Sequence, residues 1–195
     1  MFLESISNPE VNELELRSYE GTITLIEDKR DFKRAFSKIK RQSFIGFDTE
    51  TKQAFRKGEV NDVSLIQLAI PDEVFLIRIN KTGLIDSMIE LFESNEISKI
   101  GVALRDDIKD LQRLRPFEAV NFIELNHVVK GLGIENNGLR KLTAIILGFR
   151  ISKSAQTSNR ENAVLSEKQK SYAATDAWVC HKMYQELLSK GYISD

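Results

Sequence analysis

The stretch SFIGFDTE, Ser43 to Glu50, decides how the rest of the chain is read. Its first half is apolar and aromatic or β-branched, and its second half carries two acids separated by one residue. In a strand, successive side chains alternate between faces. Phe44, Gly46, Asp48 and Glu50 therefore share one face, and Ile45, Phe47 and Thr49 share the other. Phe44 and Phe47 ask for burial on opposite sides, which is the pattern of a central strand covered on both faces. Two carboxylates about 7 Å apart at the end of such a strand repel each other unless a cation joins them. An Asp-x-Glu triplet alone is a weak signal, so other elements must supply the rest of a metal site.

Outward from this strand, TITLIED (Thr22 to Asp28) reads as a strand, and DKRDFKRAFSKIKR as a helix with Phe32, Ala35, Phe36 and Ile39 at i, i+3, i+4 and i+7. The opposite side of that helix carries Lys29, Arg30, Lys33, Arg34, Lys40 and Arg41, a solvated face or a phosphate-contacting one. After Glu50 comes a polar loop, then the strands VSLIQLAI (Val63 to Ile70) and EVFLIRI (Glu73 to Ile79), joined by Pro71-Asp72 at hairpin length. LIDSMIELFES is a helix, SKIGVAL (Ser98 to Leu104) a strand, RDDIKDLQRL a helix and AVNFIEL a further strand. Helical patterns follow at His127–Leu132 and Leu139–Leu147. Ser166-Glu167-Lys168-Gln169 has the capping-box form that opens a long last helix, and Gly191 stops it. This order predicts an α/β fold, a mixed sheet of five to six strands with helices on both faces. The helix between Ile79 and Ser98 is a crossover that returns a strand beside Ser43–Glu50. Residues 1–20 read as an arm or docking segment, and 21–195 as a single domain.

The bulk numbers bound the function. A chain of 195 residues, 42% hydrophobic and 29% charged, fits one globular domain with a real core. A net charge of −1 gives no broad footprint for a polyanion, so any nucleic acid must sit in a local groove. Cys180 is the only cysteine, which excludes an internal disulfide and suits a reducing compartment. The first residues carry acids where a signal peptide has a basic start, and no apolar run approaches the ~18 residues of a membrane span. The expectation is a cytoplasmic protein with no membrane contact.

Two divalent cations are best balanced by about four carboxylates, and hard cations such as Mg²⁺ take oxygen ligands. In RDDIKDL three aspartates compete. At ~100° per residue, Leu104, Ile108, Leu111 and Leu114 mark the buried side of this helix. Asp107 lies ~40° from the centre of that side, Asp110 ~100° and Asp106 ~140°, so Asp107 is the inward one. In Tyr172-Ala-Ala-Thr-Asp176 the tyrosine and the acid stand at i and i+4 on one helix face. Ala173, Ala174 and Ala177 let that helix come close to the sheet. His127 and His181 lack a second His or Cys at ligand spacing, and Cys180 and Trp178 read as core.

FDTE, KIGVALRDDIKDL and LSEKQKSYAATDA, in this order and at these separations, resemble the three motifs of the DEDDy 3′–5′ exonuclease family. The flavour is that of the Werner-type exonuclease domain and ribonuclease D, and the similarity runs from about Phe44 to Leu188. The resemblance implies a ribonuclease-H-like fold in which Asp48, Glu50, Asp107 and Asp176 hold two Mg²⁺ or Mn²⁺ ions, with Tyr172 orienting the attacking water. It implies release of 5′-mononucleotides from a nucleic acid with a free 3′ end, DNA favoured over RNA. Arg160 stands where many relatives carry a Trp, which leaves the wall facing the substrate open. Lys52, Arg56, Lys57, Arg150 and Lys153 are candidate phosphate contacts. Three other activities compete: RNA 3′-end trimming, a silent nucleic-acid-binding domain of the same fold, and a hydrolase of small nucleotides.

Overall fold

A computed structural model of the chain describes residues 2–51, 62–153 and 165–194. Its six strands are β1 (Thr22–Ile26), β2 (Phe44–Thr51), β3 (Val63–Ile70), β4 (Glu73–Ile77), β5 (Ser98–Gly101) and β6 (Phe122–Glu124). They form one sheet in the order β1-β4-β3-β2-β5-β6. β3 pairs antiparallel with β2 and with β4, whereas β1–β4, β2–β5 and β5–β6 are parallel. The two-residue turn at Pro71-Asp72 and the crossover that returns β5 beside β2 are both as the sequence predicts.

The helices are α1 (Asn8–Glu13), α2 (Lys29–Ile39), α3 (Ile79–Thr82), α4 (Asp86–Glu93), α5 (Leu104–Leu114), α6 (Leu125–Lys130), α7 (Leu139–Leu147) and α8 (Glu167–Ser189). On one face of the sheet, Ile45 and Phe47 of β2 pack in a cluster with Phe32 and Ile39 of α2, Phe92 of α4 and Leu111 of α5. On the other, Leu65, Ala69, Val74 and Leu76 lie under Ala173, Ala174 and Ala177 of α8. Beyond them Ile100 of β5 joins α6, α7 and the second half of α8 in a further cluster. β2 is thus covered on both sides, as Phe44 and Phe47 require: Phe47 meets Phe92 edge-on, and Phe44 stacks on His181 of α8.

The alanines of α8 have a counterpart in Gly46. A methyl group there would drive into the Ala177 carbonyl oxygen, so the helix backbone lies directly against the strand. The helix begins with the capping box its sequence announces: Gln169 N–H donates to Ser166 Oγ at 3.2 Å, and Ser166 N–H to Gln169 Oε1 at 2.9 Å. The N-terminal segment is docked on this same side. Ser7 and Glu10 box the start of α1, Val11 is fully buried, and Tyr19 N–H donates to Thr175 Oγ1 at 2.9 Å.

Several expectations fail in detail: the strand read as Thr22 to Asp28 ends at Ile26, the one read as Ser98 to Leu104 ends at Gly101 before α5 begins at Leu104, and the helix read as His127–Leu132 is Leu125–Lys130. The strand read to Ile79 ends at Ile77: Arg78 N–H makes the last rung to the Ile26 carbonyl, and the Arg78 carbonyl then accepts from Lys81 and Thr82 N–H to open the single helical turn of α3. Leu114, assigned to the buried side of its helix, is 39% exposed, since the apolar stripe of α5 runs out past Leu111 at the helix's last residue. Among the described residues no helix is long and apolar enough to cross a membrane.

Candidate metal centre and active-site cleft

β2 carries Asp48 and Glu50 to its C-terminal end on the α8 face, and α8 brings Asp176 to meet them. One carboxylate oxygen from each of the three lies within 4.8 Å of the other two. Asp176 is itself buried, because the alanine face of α8 rests on the sheet. Burial pushes the Asp48 carboxyl well above the ordinary range, and the negative charges of Asp176, Glu50 and Asp107 push it further.

Asp107 comes from the other side. It sits in the first turn of α5, and Thr49 Oγ1, on the opposite face of β2 from Asp48, donates a hydrogen bond to its carboxylate. It is not one of the three mutually close acids, although its charge reaches Asp48. Burial raises Asp107 to about 6, the Thr49 hydrogen bond opposes this, and Asp110 and Asp106 add to the rise. The rivals face elsewhere: Asp106 is exposed and pairs with Lys109 at 3.5 Å, and Asp110 pairs with Arg113 at 2.9 Å. The helical projection therefore selects the acid that points inward.

What holds the start of α5 in place is not legible in the motif. Ala103, immediately before the helix, adopts a left-handed conformation (φ 61°) and offers no capping side chain. Glu124 of β6 supplies the cap. Its carboxylate accepts from Ala103 N at 2.9 Å and Leu104 N at 2.8 Å, and also from Asn126 N at 3.1 Å at the start of α6. One side chain thereby fixes two helix starts and, through α5, the place of Asp107.

Asp48, Glu50 and Asp176 line a cleft of about 570 Å³ together with Asn8 of α1, Asn137, and Arg140 and Lys141 of α7. Lys153 lines it too. Tyr172 stands between this cleft and a smaller cavity of about 270 Å³ bounded by Arg17, Lys168 and Ser171. Arg150 does not line either. Its Nε donates to the Leu14 carbonyl at 2.9 Å and its backbone bridges to Leu16, so it ties down the N-terminal segment instead of facing a phosphate. Lys52, Arg56, Lys57 and Arg160 lie outside the described residues. His127 is exposed, and His181 is buried against Phe44, held down to about 4 by burial. Trp178 stacks on Phe149, and Cys180 is buried at the cleft floor, its thiol pushed up by burial and by Asp48 and Asp176. Arg140, Lys141 and Glu124 have no signature at motif spacing. Only the fold brings them here.

A family model described as 3′–5′ exonuclease matches residues 23–191. An exonuclease mut-7 homolog of Aedes aegypti is 29% identical over 197 residues, an overlap of 88% of this chain and 27% of that protein. The bifunctional 3′–5′ exonuclease/ATP-dependent helicase WRN of Mus musculus is 32% identical over 153 residues, 75% of this chain and 11% of that one. The chain thus spans only a minor part of either relative. The crystal structure of the Aedes aegypti Nibbler EXO domain matches with a TM-score of 0.80 and 28% identity, covering 90% of this chain and 91% of that domain.

Proposed function

The chain belongs to the DEDDy 3′–5′ exonuclease family, with its ribonuclease-H-like fold, and from that premise we propose that it removes 5′-mononucleotides stepwise from a free 3′ end of nucleic acid, DNA ahead of RNA. In this reading residues 21–195 are the exonuclease domain and 1–20 its docking segment. The observation that carries the chemistry is the convergence of Asp48, Glu50 and the buried Asp176 at one point in the cleft, where their mutual repulsion calls for a cation. An all-carboxylate donor set fits hard cations, Mg²⁺ or Mn²⁺. Asp48 would be shared between two ions, Glu50 and Asp176 completing one site and Asp107 supporting the other. When bound, the ions supply the charge that ionises a water near neutral pH and that steadies the leaving 3′ oxygen.

The chain's own groups do the positioning. Tyr172, one helical turn before Asp176, offers a neutral hydroxyl that orients the nucleophilic water without disturbing the charge balance. Lys153, Arg140 and Lys141, which line the same cleft, would hold backbone phosphates against the carboxylates. The thiol of Cys180 and the imidazole of His181 are kept neutral by burial and take no part in proton transfer.

The test is incubation with 3′- and 5′-labelled DNA and RNA, single- and double-stranded, in Mg²⁺, Mn²⁺ or chelator. Stepwise shortening from the 3′ end that a chelator abolishes is expected. Asp48→Ala and Asp176→Asn should each lower the rate by about 10³-fold or more, several kcal/mol of charge stabilisation being lost. Near-wild-type trimming by Asp48→Ala would overturn the assignment. Turnover of free nucleotides with indifference to polymer length would point to a small-nucleotide hydrolase instead.

A further inference from the structure

Gln67, in the middle of β3, is fully buried, and neither its Nε2 nor its Oε1 has a hydrogen-bond partner. A primary amide brings donors and acceptors into the core, and leaving them unmet is costlier than an apolar side chain of the same size. Nothing in the local packing asks for an amide. Leu65 and Ala69, its neighbours on the same face of β3, are apolar and lie under the alanines of α8. Leu76, opposite on β4, is apolar too. The polar neighbour the sheet provides is Asp48, directly opposite on β2. Opposed residues of an antiparallel pair project to one face with Cβ atoms about 4.5–5.5 Å apart, within reach of a glutamine side chain.

Resting on the metal-site reading above, we infer that Gln67 is a positioning residue for Asp48: its amide, which bonds no group in this structure, Asp48 included, takes up the carboxylate when cations draw it into the orientation that presents an oxygen to them. A neutral donor suits this place. A lysine or arginine would pair with Asp48 and cancel the charge the cations need, and an acid would add to the repulsion of Asp48 by Glu50 and Asp176. An amide orients without neutralising. Outer partners of ligating carboxylates typically account for about 10–100-fold in metal affinity.

The experiment compares wild type with Gln67→Met, an apolar replacement of similar volume, by following the thermal midpoint across a MnCl₂ titration and the same binding by calorimetry. The variant should fold with a midpoint in EDTA equal to or above wild type, and its half-saturating Mn²⁺ concentration should rise by about 10–100-fold. A purely structural role would move the midpoint in EDTA but leave half-saturation where it is, and that result overturns the inference. Should Gln67→Met fail to fold, Gln67→Leu carries the same measurement, since Leu65 and Leu76 show that this layer accepts leucine. If wild type itself gains no stability from Mn²⁺, the metal-site reading falls and this inference with it. Equal half-saturation in two metal-binding proteins sinks the inference alone.

Discussion

At Asp107 a single carboxyl links the chemistry of the site to the stability of the chain. Its folded-state value of about 6 lies above the ordinary 3.8, so the folded protein holds this proton more tightly than the unfolded chain does. The stability it contributes is therefore fully present below 3.8 and is lost as pH rises through about 6. Asp48, raised by burial and by its acidic neighbours, works in the same direction. Urea unfolding in EDTA should show wild type weakening from pH 4 to pH 8, and Asp107→Asn should flatten part of that slope and be the more stable protein at pH 8. A variant with an unchanged pH slope would mean that Asp107 is not held as described. Asp48→Asn should likewise raise the metal-free midpoint at pH 8, by about 2–4 °C for each kcal/mol of repulsion relieved. The inward choice among Asp106, Asp107 and Asp110 is legible in sequence, because helical phase depends only on nearby residues. Gln67 is not, because its meaning lies in a register with Asp48 that no local pattern encodes.

At the scale of elements, the site is a matter of how closely α8 lies on β2. The seat of that contact is Gly46, where an added Cβ meets helix backbone and not a flexible side-chain tip. Gly46→Ala should therefore destabilise by about 1–3 kcal/mol, the usual cost of overpacking. It should also weaken Mn²⁺ binding, because lifting α8 separates Asp176 from Asp48. Denaturant melts and a metal titration check the two halves independently. A second element depends on Glu124, whose carboxylate closes the starts of both α5 and α6. Glu124→Ala should cost about 1–2 kcal/mol, at the upper end of cap losses. Amide hydrogen exchange should report the loss as faster exchange at Ala103, Leu104 and Asn126. Sequence announces α8 through its capping box and alanine run, both local signals. It does not announce the cap on α5, which is set by Glu124, a partner distant in the chain.

For the whole molecule, the balance between a near-zero net charge and a concentrated acidic site sets how a polyanion can bind. The formal charge of −1 leaves no diffuse attraction, and the basic side chains of α2 and its C-terminal end lie on the face of the sheet away from α8, where Arg30 pairs with Asp28, Lys38 with Glu73 and Lys40 with Glu90. Among the described residues the cations lining the cleft are Arg140, Lys141 and Lys153. Single-stranded nucleic acid loses about 0.7 in the slope of log affinity against log salt for each phosphate neutralised, so three contacts give a slope of about −2. At fixed, saturating Mg²⁺, KM for a single-stranded oligonucleotide should accordingly rise as roughly the second power of monovalent salt. The double variant Lys141→Ala, Lys153→Ala should raise KM at low salt and flatten that dependence to under one power, with kcat little changed because neither side chain meets the carboxylates. A steep wild-type slope that the double variant leaves intact would place the phosphate contacts elsewhere on the molecule and remove α7 from the substrate's path.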